Sequence, residues 1–225
     1  MTRLPDLDLV TLWSAGQQVH PAARGAAVLR AVSPDATFDE LARLPIGRRD
    51  AYLLALREQW FGASLTALAD CPACGGRVEV EIPVSLLLDG NDGGDGLENP
   101  SHIRPADTHD LMAIASAPDV ASARAELLRR CAGDVPAESE DEVIAAIAAL
   151  DPRADVSIAL TCPDCSNGWD SALDIAAFLW SEIDAAARRA LRDVHTLAAA
   201  YGWTEREILA IPAERRQLYM QMVTG

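Results

Sequence analysis

The chain contains no lysine: all 19 basic residues are arginine, against 34 acidic ones, and the net charge is −15 over 225 residues. Binding to a phosphate backbone needs clustered positive charge, so this balance argues against a nucleic-acid partner. No run approaches the roughly 18 apolar residues of a membrane span. Met1 to Asp8 lacks the apolar stretch of a signal peptide. The expectation is therefore a cytoplasmic chain without a membrane partner, whose thiols stay reduced. Histidine is scarce too. His20, His102, His109 and His195 are dispersed, none in an H-x-x-x-H spacing. No glycine-rich phosphate loop follows a strand, and neither G-x-S-x-G nor H-E-x-x-H occurs. The sequence thus offers no constellation for an enzyme and no site for a small-molecule substrate.

What is present is apolar content enough for a folded core, half of all residues, and two cysteine knuckles, Cys71-Pro-Ala-Cys74 and Cys162-Pro-Asp-Cys165. Each lies between stretches that read as strands, 64–70 and 75–84 around the first, 155–161 and 166–175 around the second. Aligned on their cysteines, they look like two copies of one strand–knuckle–strand unit. Two such hairpins facing each other place four thiolates around one tetrahedral point, as a structural zinc ion requires. Disulfides and thioredoxin-like chemistry are the alternatives. A redox C-x-x-C normally opens a helix, however, and neither knuckle leads straight into one. Four thiolates also leave zinc no open position for water, so the expected single Zn2+ is structural, with Cys71, Cys74, Cys162 and Cys165 as its ligands. Cys131, within an apolar helical pattern and without a neighbouring histidine, reads as a buried hydrophobe.

The rest of the pattern is helical. Leu7 to Gly16 and Pro21 to Ala31 read as helices, and Thr37-Phe-Asp-Glu40 as a capping box ahead of a short helix ending at Leu44. Pro45 opens a longer helix, Ile46 to Phe61, with Tyr52, Leu53, Leu56, Trp60 and Phe61 on one face and Gly62 closing it. Asp174 to Tyr201 reads as the longest helix, with an apolar stripe through Ile175, Phe178, Leu179, Ile183, Ala186, Ala190, Val194, Leu197 and Tyr201. The corner at Thr37 to Tyr52 recurs at Thr204 to Tyr219, with threonine, glutamate, proline, arginine pair and tyrosine at matching positions. Both read as helix–Pro–helix corners. Their arginines, Arg48, Arg49, Arg215 and Arg216, are candidates for contacts with carboxylates or carbonyls on a neighbour. The Asp/Asn- and Gly-rich stretch 88–100 lacks the glutamate of an EF-hand loop and reads as a flexible acidic loop. Beyond it, short helices are expected near 108–115, 119–131 and 139–149.

The expected fold is α+β and mainly helical, with a small antiparallel zinc-ribbon-like β region built from the two C-x-x-C hairpins and the corners packed around it. It divides into an N-terminal helical region (1–62), a first knuckle hairpin (63–88), an acidic loop and helical insert (89–151), a second knuckle hairpin (152–175) and C-terminal helices (176–225).

Three phrases carry a family likeness. They are Leu44-Pro-Ile-Gly-Arg-Arg-Asp-Ala-Tyr-Leu-Leu-Ala-Leu-Arg-Glu-Gln-Trp-Phe-Gly62 followed by Cys71-Pro-Ala-Cys-Gly75; Ala159-Leu-Thr-Cys-Pro-Asp-Cys165 leading into Asp174-Ile-Ala-Ala-Phe-Leu-Trp-Ser-Glu-Ile183; and Val194-His-Thr-Leu-Ala-Ala-Ala-Tyr-Gly-Trp-Thr-Glu-Arg-Glu-Ile-Leu209. Together they resemble the baseplate hub assembly chaperone family of contractile-tailed phages and of phage-tail-like contractile injection systems. The resemblance covers most of the chain outside about 89–151. It implies a non-enzymatic role, as chaperone or structural component of a contractile baseplate, with baseplate and hub structural proteins as partners. The alternative from another class is a zinc-ribbon regulator that binds nucleic acid through the arginine corners, against which the charge balance speaks.

Overall fold

The computed structural model describes residues 4–88, 103–136 and 139–224. The acidic loop expected at 88–100 lies outside them from residue 89 onward.

The helices start and stop where local chemistry directs. Helix α1 (Asp6–Gly16) is followed by a single 3-10 turn, Pro21–Ala23, and α2 (Arg24–Val32). Thr37 caps α3 (Phe38–Ala42) in a full capping box: its hydroxyl accepts the Glu40 N–H, and the Glu40 carboxylate accepts the Thr37 N–H. The second corner repeats this at Thr204 and Glu207, ahead of α10 (Glu205–Ala210) and α11 (Ala213–Thr224).

Between the corners run α4 (Ile46–Phe61), β1 (Ser64–Asp70), β2 (Arg77–Pro83), α5 (Val84–Leu88), α6 (Thr108–Ile114), α7 (Val120–Ala132), α8 (Glu140–Leu150), β3 (Ser157–Thr161), β4 (Gly168–Ala172) and α9 (Ile175–Tyr201). The short α5 was not legible in the sequence, where its residues read as the end of a strand and the start of a loop.

Helix α9 is the axis. Helices α1, α2, α4, α10 and α11 pack on it. Leu12, Val28, Leu53, Leu54, Leu179 and Ile183 form the main buried cluster. Further along α9, Ala186, Ala187 and Ala190 are small enough for Leu9, Val10 and Leu209 to close on them. Polar ties fix the register. The Trp13 indole N–H donates to Asp184 (2.7 Å), and Arg57 grips Glu182 through two bonds of 2.9 and 2.8 Å while donating to the Gly62 carbonyl.

The buried face of α4 differs from the expected one. Tyr52 is 46% exposed, whereas Arg49, Asp50 and Arg57 are buried with Leu53, Leu54 and Trp60. Each arginine charge inside is met by a carboxylate, Asp50 for Arg49 and Glu182 for Arg57, so the helix turns a partly charged face inward and leaves its tyrosine out.

The insert docks on the start of α4. That helix has Pro45 at its N-cap and no side-chain cap, so its first donors need outside acceptors. Ile46 N–H reaches the Ala106 carbonyl (3.1 Å), and Gly47 N–H reaches the Asp151 carboxylate (2.8 Å). The approach is close enough to require glycine, since a Cβ on Gly47 would lie 2.2 Å from Asp151 Oδ1 and 2.8 Å from the Arg153 backbone. Within the insert, the fully buried Asp110 accepts two bonds from Arg104 (2.6 and 2.8 Å) and one from Arg130 (2.7 Å).

The β region is two separate two-stranded antiparallel sheets, β1–β2 and β3–β4, one per knuckle. Both follow the period-2 pattern expected of a half-buried hairpin.

Candidate metal centre

The two knuckles have the same backbone. In the first, Cys71 N–H donates to the Gly76 carbonyl (2.8 Å) and Gly75 N–H to the Cys71 carbonyl (2.9 Å). In the second, Cys162 N–H donates to the Asn167 carbonyl and Ser166 N–H to the Cys162 carbonyl, both at 2.9 Å. Each turn therefore closes on itself and points two sulfurs the same way. The turn demands a left-handed residue after the second cysteine. Gly75 supplies it at φ 73° and Ser166 at φ 58°, the one non-glycine residue with positive φ among those described. Serine carries a steric cost there that glycine does not. Ser166→Gly is accordingly expected to raise stability by about 1 kcal/mol with zinc content unchanged, read as a higher urea midpoint at constant m-value.

The hairpins bring the knuckles face to face across 94 and 88 residues of sequence. Cys71 Sγ lies 3.7 Å from Cys165 Sγ, and Cys74 Sγ lies 3.6 Å from Cys162 Sγ. All four sulfurs fall within 4.8 Å of one another, and among the described residues no other histidine, cysteine, aspartate or glutamate group does the same. A tetrahedron of thiolates about 2.3 Å from zinc has edges of about 3.8 Å, so the spacing is that of one zinc site. It is far beyond the roughly 2.05 Å of a disulfide, and the short pairs join different knuckles. Cys71 and Cys162 are buried while Cys74 and Cys165 are exposed, so the site has a closed inner side and an outer rim. The knuckles touch closely: a Cβ on Gly76 would meet Asp164 Oδ2 at 2.7 Å.

The electrostatics call for a cation. Burial pushes the Cys71 thiol up, but the Cys74 and Ala73 amides and the neighbouring thiols outweigh it and bring the group down to about 7. At Cys74 the Gly76 amide pulls down, yet the Cys165 and Cys162 thiols drive the group up to about 12. Cys165 is raised as well, the pull of the Asn167 amide and of the Cys74 thiol being outweighed by burial and by the Cys71 and Cys162 thiols. Thiolates this close oppose one another's ionisation, and a bound divalent ion removes that opposition while displacing the protons. With four sulfurs in its shell the ion has no place for water or substrate, so its contribution is to hold the two hairpins together.

The remaining candidates lie elsewhere. Cys131 is buried beside Asp110 and pushed up to about 11, chiefly by burial, which suits an inert thiol. The His20 ring accepts the Ala22 N–H, His109 lies 3.1 Å from Asp39, and His195 is exposed. His102 is outside the described residues.

The arginine pairs divide. Arg216 is buried in ion pairs with Asp193 (3.0 Å) and Asp6, and Arg49 is buried against Asp50. Of the four corner arginines that are candidates for contacts on a neighbour, these two each meet a carboxylate of their own chain instead. Arg48 and Arg215 are on the exposed side. Sequence reasoning also missed Asp6 and Asp193, which mark nothing in the sequence and become partners only when α1, α9 and α11 converge.

No helix of the described residues is long and apolar enough to cross a membrane. No family model, no curated protein and no solved structure matches the chain.

Proposed function

We propose that this is a non-enzymatic assembly protein of a contractile phage tail or contractile injection system, acting on or within the baseplate hub. Support comes from the sequence resemblance, whose most distinctive phrase ends in the C-terminal corner, and from the physical character of that corner. Tyr201 and Trp203 stack at 4.6 Å, Tyr219 stands edge-on to Trp203 at 5.1 Å, and Tyr201 is 40% exposed. Next to them α11 leaves Leu218, Met222 and Val223 outside. Rigid aromatic groups rimmed by exposed apolar side chains are the usual anchors of protein interfaces. This aromatic and apolar cap on the C-terminal corner is the observation that carries the reading. The zinc-clasped hairpins at the other end of α9 supply a stiff, unreactive scaffold.

The nucleic-acid reading is the weaker one. Two of the four arginines that it needs, Arg49 and Arg216, are spent on internal carboxylates, and the net charge is −15.

The test is co-expression with the hub, spike and wedge proteins encoded beside the gene, followed by affinity capture. Wild type is compared with Leu218→Asp/Met222→Asp and with Arg215→Ala; Arg216 is left alone because it holds the fold. Wild type is expected to retain a hub component, and the double aspartate variant to lose about tenfold or more of that capture. Failure of wild type to capture any baseplate component overturns the function. Equal capture by the variants overturns the surface.

A further inference from the structure

The two hairpins leave an unused edge on each side of one groove. The groove, of 290 Å³, is bordered by the consecutive residues 66–69 of β1 and 171–173 at the end of β4. Consecutive lining means that strand edges form its walls, because a sheet face presents only alternate residues. Its floor is apolar: Val80, Ile158, Leu160 and Phe178.

The register says which backbone groups face that groove. Ala63 pairs with Val84 and Cys71 with Gly76 through hydrogen bonds, so in β1 the residues 65, 67 and 69 exchange bonds with β2. Thr66 and Leu68 therefore turn N–H and C=O away from β2. By the same count, from Cys162 with Asn167 and Leu173 with Val156, Asp170 and Ala172 turn theirs away from β3. No backbone bond from these four residues is found among the described residues. Leu68 is 62% exposed. Two short strands with bare edges are a ready template for a third.

Charge selects the occupant. The lining itself is uncharged, but Asp70 directly follows the β1 wall and Asp170 directly precedes the β4 wall, and the hairpins' one arginine, Arg77, is itself paired with Asp70. A second copy of this chain would bring the same carboxylates to the groove and is disfavoured.

We infer that this groove receives an extended segment of a partner polypeptide, apolar at alternate positions and flanked by basic residues, which adds as a strand to the edge of β1 at Thr66 and Leu68. Its main chain would pair with those outward groups, its apolar side chains would cover Val80, Ile158, Leu160 and Phe178, and its basic flanks would meet Asp70 and Asp170 beside the walls. About four residues of extended chain match the length of the wall. The inference is independent of the baseplate reading, since it names a segment chemistry and a different surface from the C-terminal corner.

The test uses the full-length zinc-loaded protein and a fluorescein-labelled peptide, Arg-Arg-Thr-Val-Thr-Val-Thr-Val-Thr-Val-Arg-Arg, followed by anisotropy. Binding is expected, weakening as salt rises. It should fall about tenfold or more when alternate peptide nitrogens are methylated, each lost bond counting toward that factor, and similarly when glutamate replaces the arginines. Leu68→Pro should abolish it while keeping the zinc, because the N–H removed points away from β2. Amide exchange on the wild type gives a readout without any variant: Thr66 and Leu68 should gain protection when peptide is added. The inference is overturned by binding that ignores methylation and Leu68→Pro, by absence of binding, or by protection of Thr66 and Leu68 that appears with protein concentration alone and marks self-pairing.

Discussion

Replacing Cys162 with serine is expected to abolish stoichiometric zinc and to release both hairpins together, although the substitution touches only one. The reason is topological. The four sulfurs come from two turns 88 to 94 residues apart, and each hairpin is a lone two-stranded sheet, which is marginal in water without such a clasp. Structural zinc contributes on the order of 10 kcal/mol in small zinc domains, and much of that resides here in order of the hairpins. The helical core is less dependent on the metal, since Leu12, Val28, Leu53, Leu179 and Ile183 pack without any cysteine, although Leu65 and Ile82 of the first hairpin join the same cluster. Elemental analysis should fall from one zinc per chain to none. Amide protection should fall over 66–80 and 157–172, least at the core-anchored Leu65 and Ile82, while helical circular dichroism largely persists. Cys131→Ser, remote from the cluster, should keep its zinc. A Cys162→Ser protein that retains one equivalent of metal, or whose second hairpin alone loosens, would show that the four cysteines do not act as one site.

The second large effect is expected at Asp110. Its carboxylate is fully buried, receives Arg104 twice and Arg130 once, and closes the capping box of α6 by accepting the Asp107 N–H. Asp110→Ala removes the three short bonds that Arg104 and Arg130 make at the junction of α6 and α7, leaving Arg104 with the Pro105 carbonyl and Asp107 and Arg130 with Glu126. Loss of one member of a buried pair costs about 3–5 kcal/mol, and the lower end applies because Arg104 and Arg130 still reach solvent. The same cluster sets an acid limit. Burial alone would raise the Asp110 carboxyl, but the Arg104, Asp107 and Arg130 bonds outweigh it and hold the group down to about 2. A depressed carboxylate stabilises the fold fully above its unfolded value near 3.9 and ceases to do so as pH falls through about 2. About 2 kcal/mol of stability should therefore disappear between about pH 4 and pH 2. Amide protection factors in α6 and α7, corrected for the intrinsic pH dependence of exchange, should fall across that window in wild type and be nearly flat in Asp110→Ala. A flat wild-type profile would remove Asp110 from this role.

Much of the architecture is written in local sequence, and the reason is that its signals act over a few residues. Thr37 with Glu40 and Thr204 with Glu207 form capping boxes because donor and acceptor are three positions apart. Asp119 and Asp174 cap their helices in the same way. Gly62 and Gly202 end helices because their backbone takes positive φ. The paired C-P-x-C motifs, each inside a strand–turn–strand pattern, name the four metal ligands because thiolate chemistry leaves few other uses for that set.

What the tertiary structure alone decides is which side chains meet across elements. Arg49 and Arg216 occupy equivalent corner positions and look like surface cations, yet both are buried: Asp6 and Asp193 meet Arg216 where the helices converge, while Arg49 pairs with its own neighbour Asp50 and reaches Thr108 of α6. Tyr52 belongs to an apolar pattern and lies outside, since the face of α4 that turns inward carries Arg49 and Arg57 with their carboxylates. Gly47 differs from Glu214 at the matching position of the second corner because only the first receives an insert, whose Asp151 comes too close for a Cβ. The groove between β1 and β4 follows from the two hairpins remaining separate sheets. Periodicity tells which face of a strand or helix is apolar. Which neighbour that face meets, and whether a charge finds its counter-ion there, depends on packing between segments far apart in sequence.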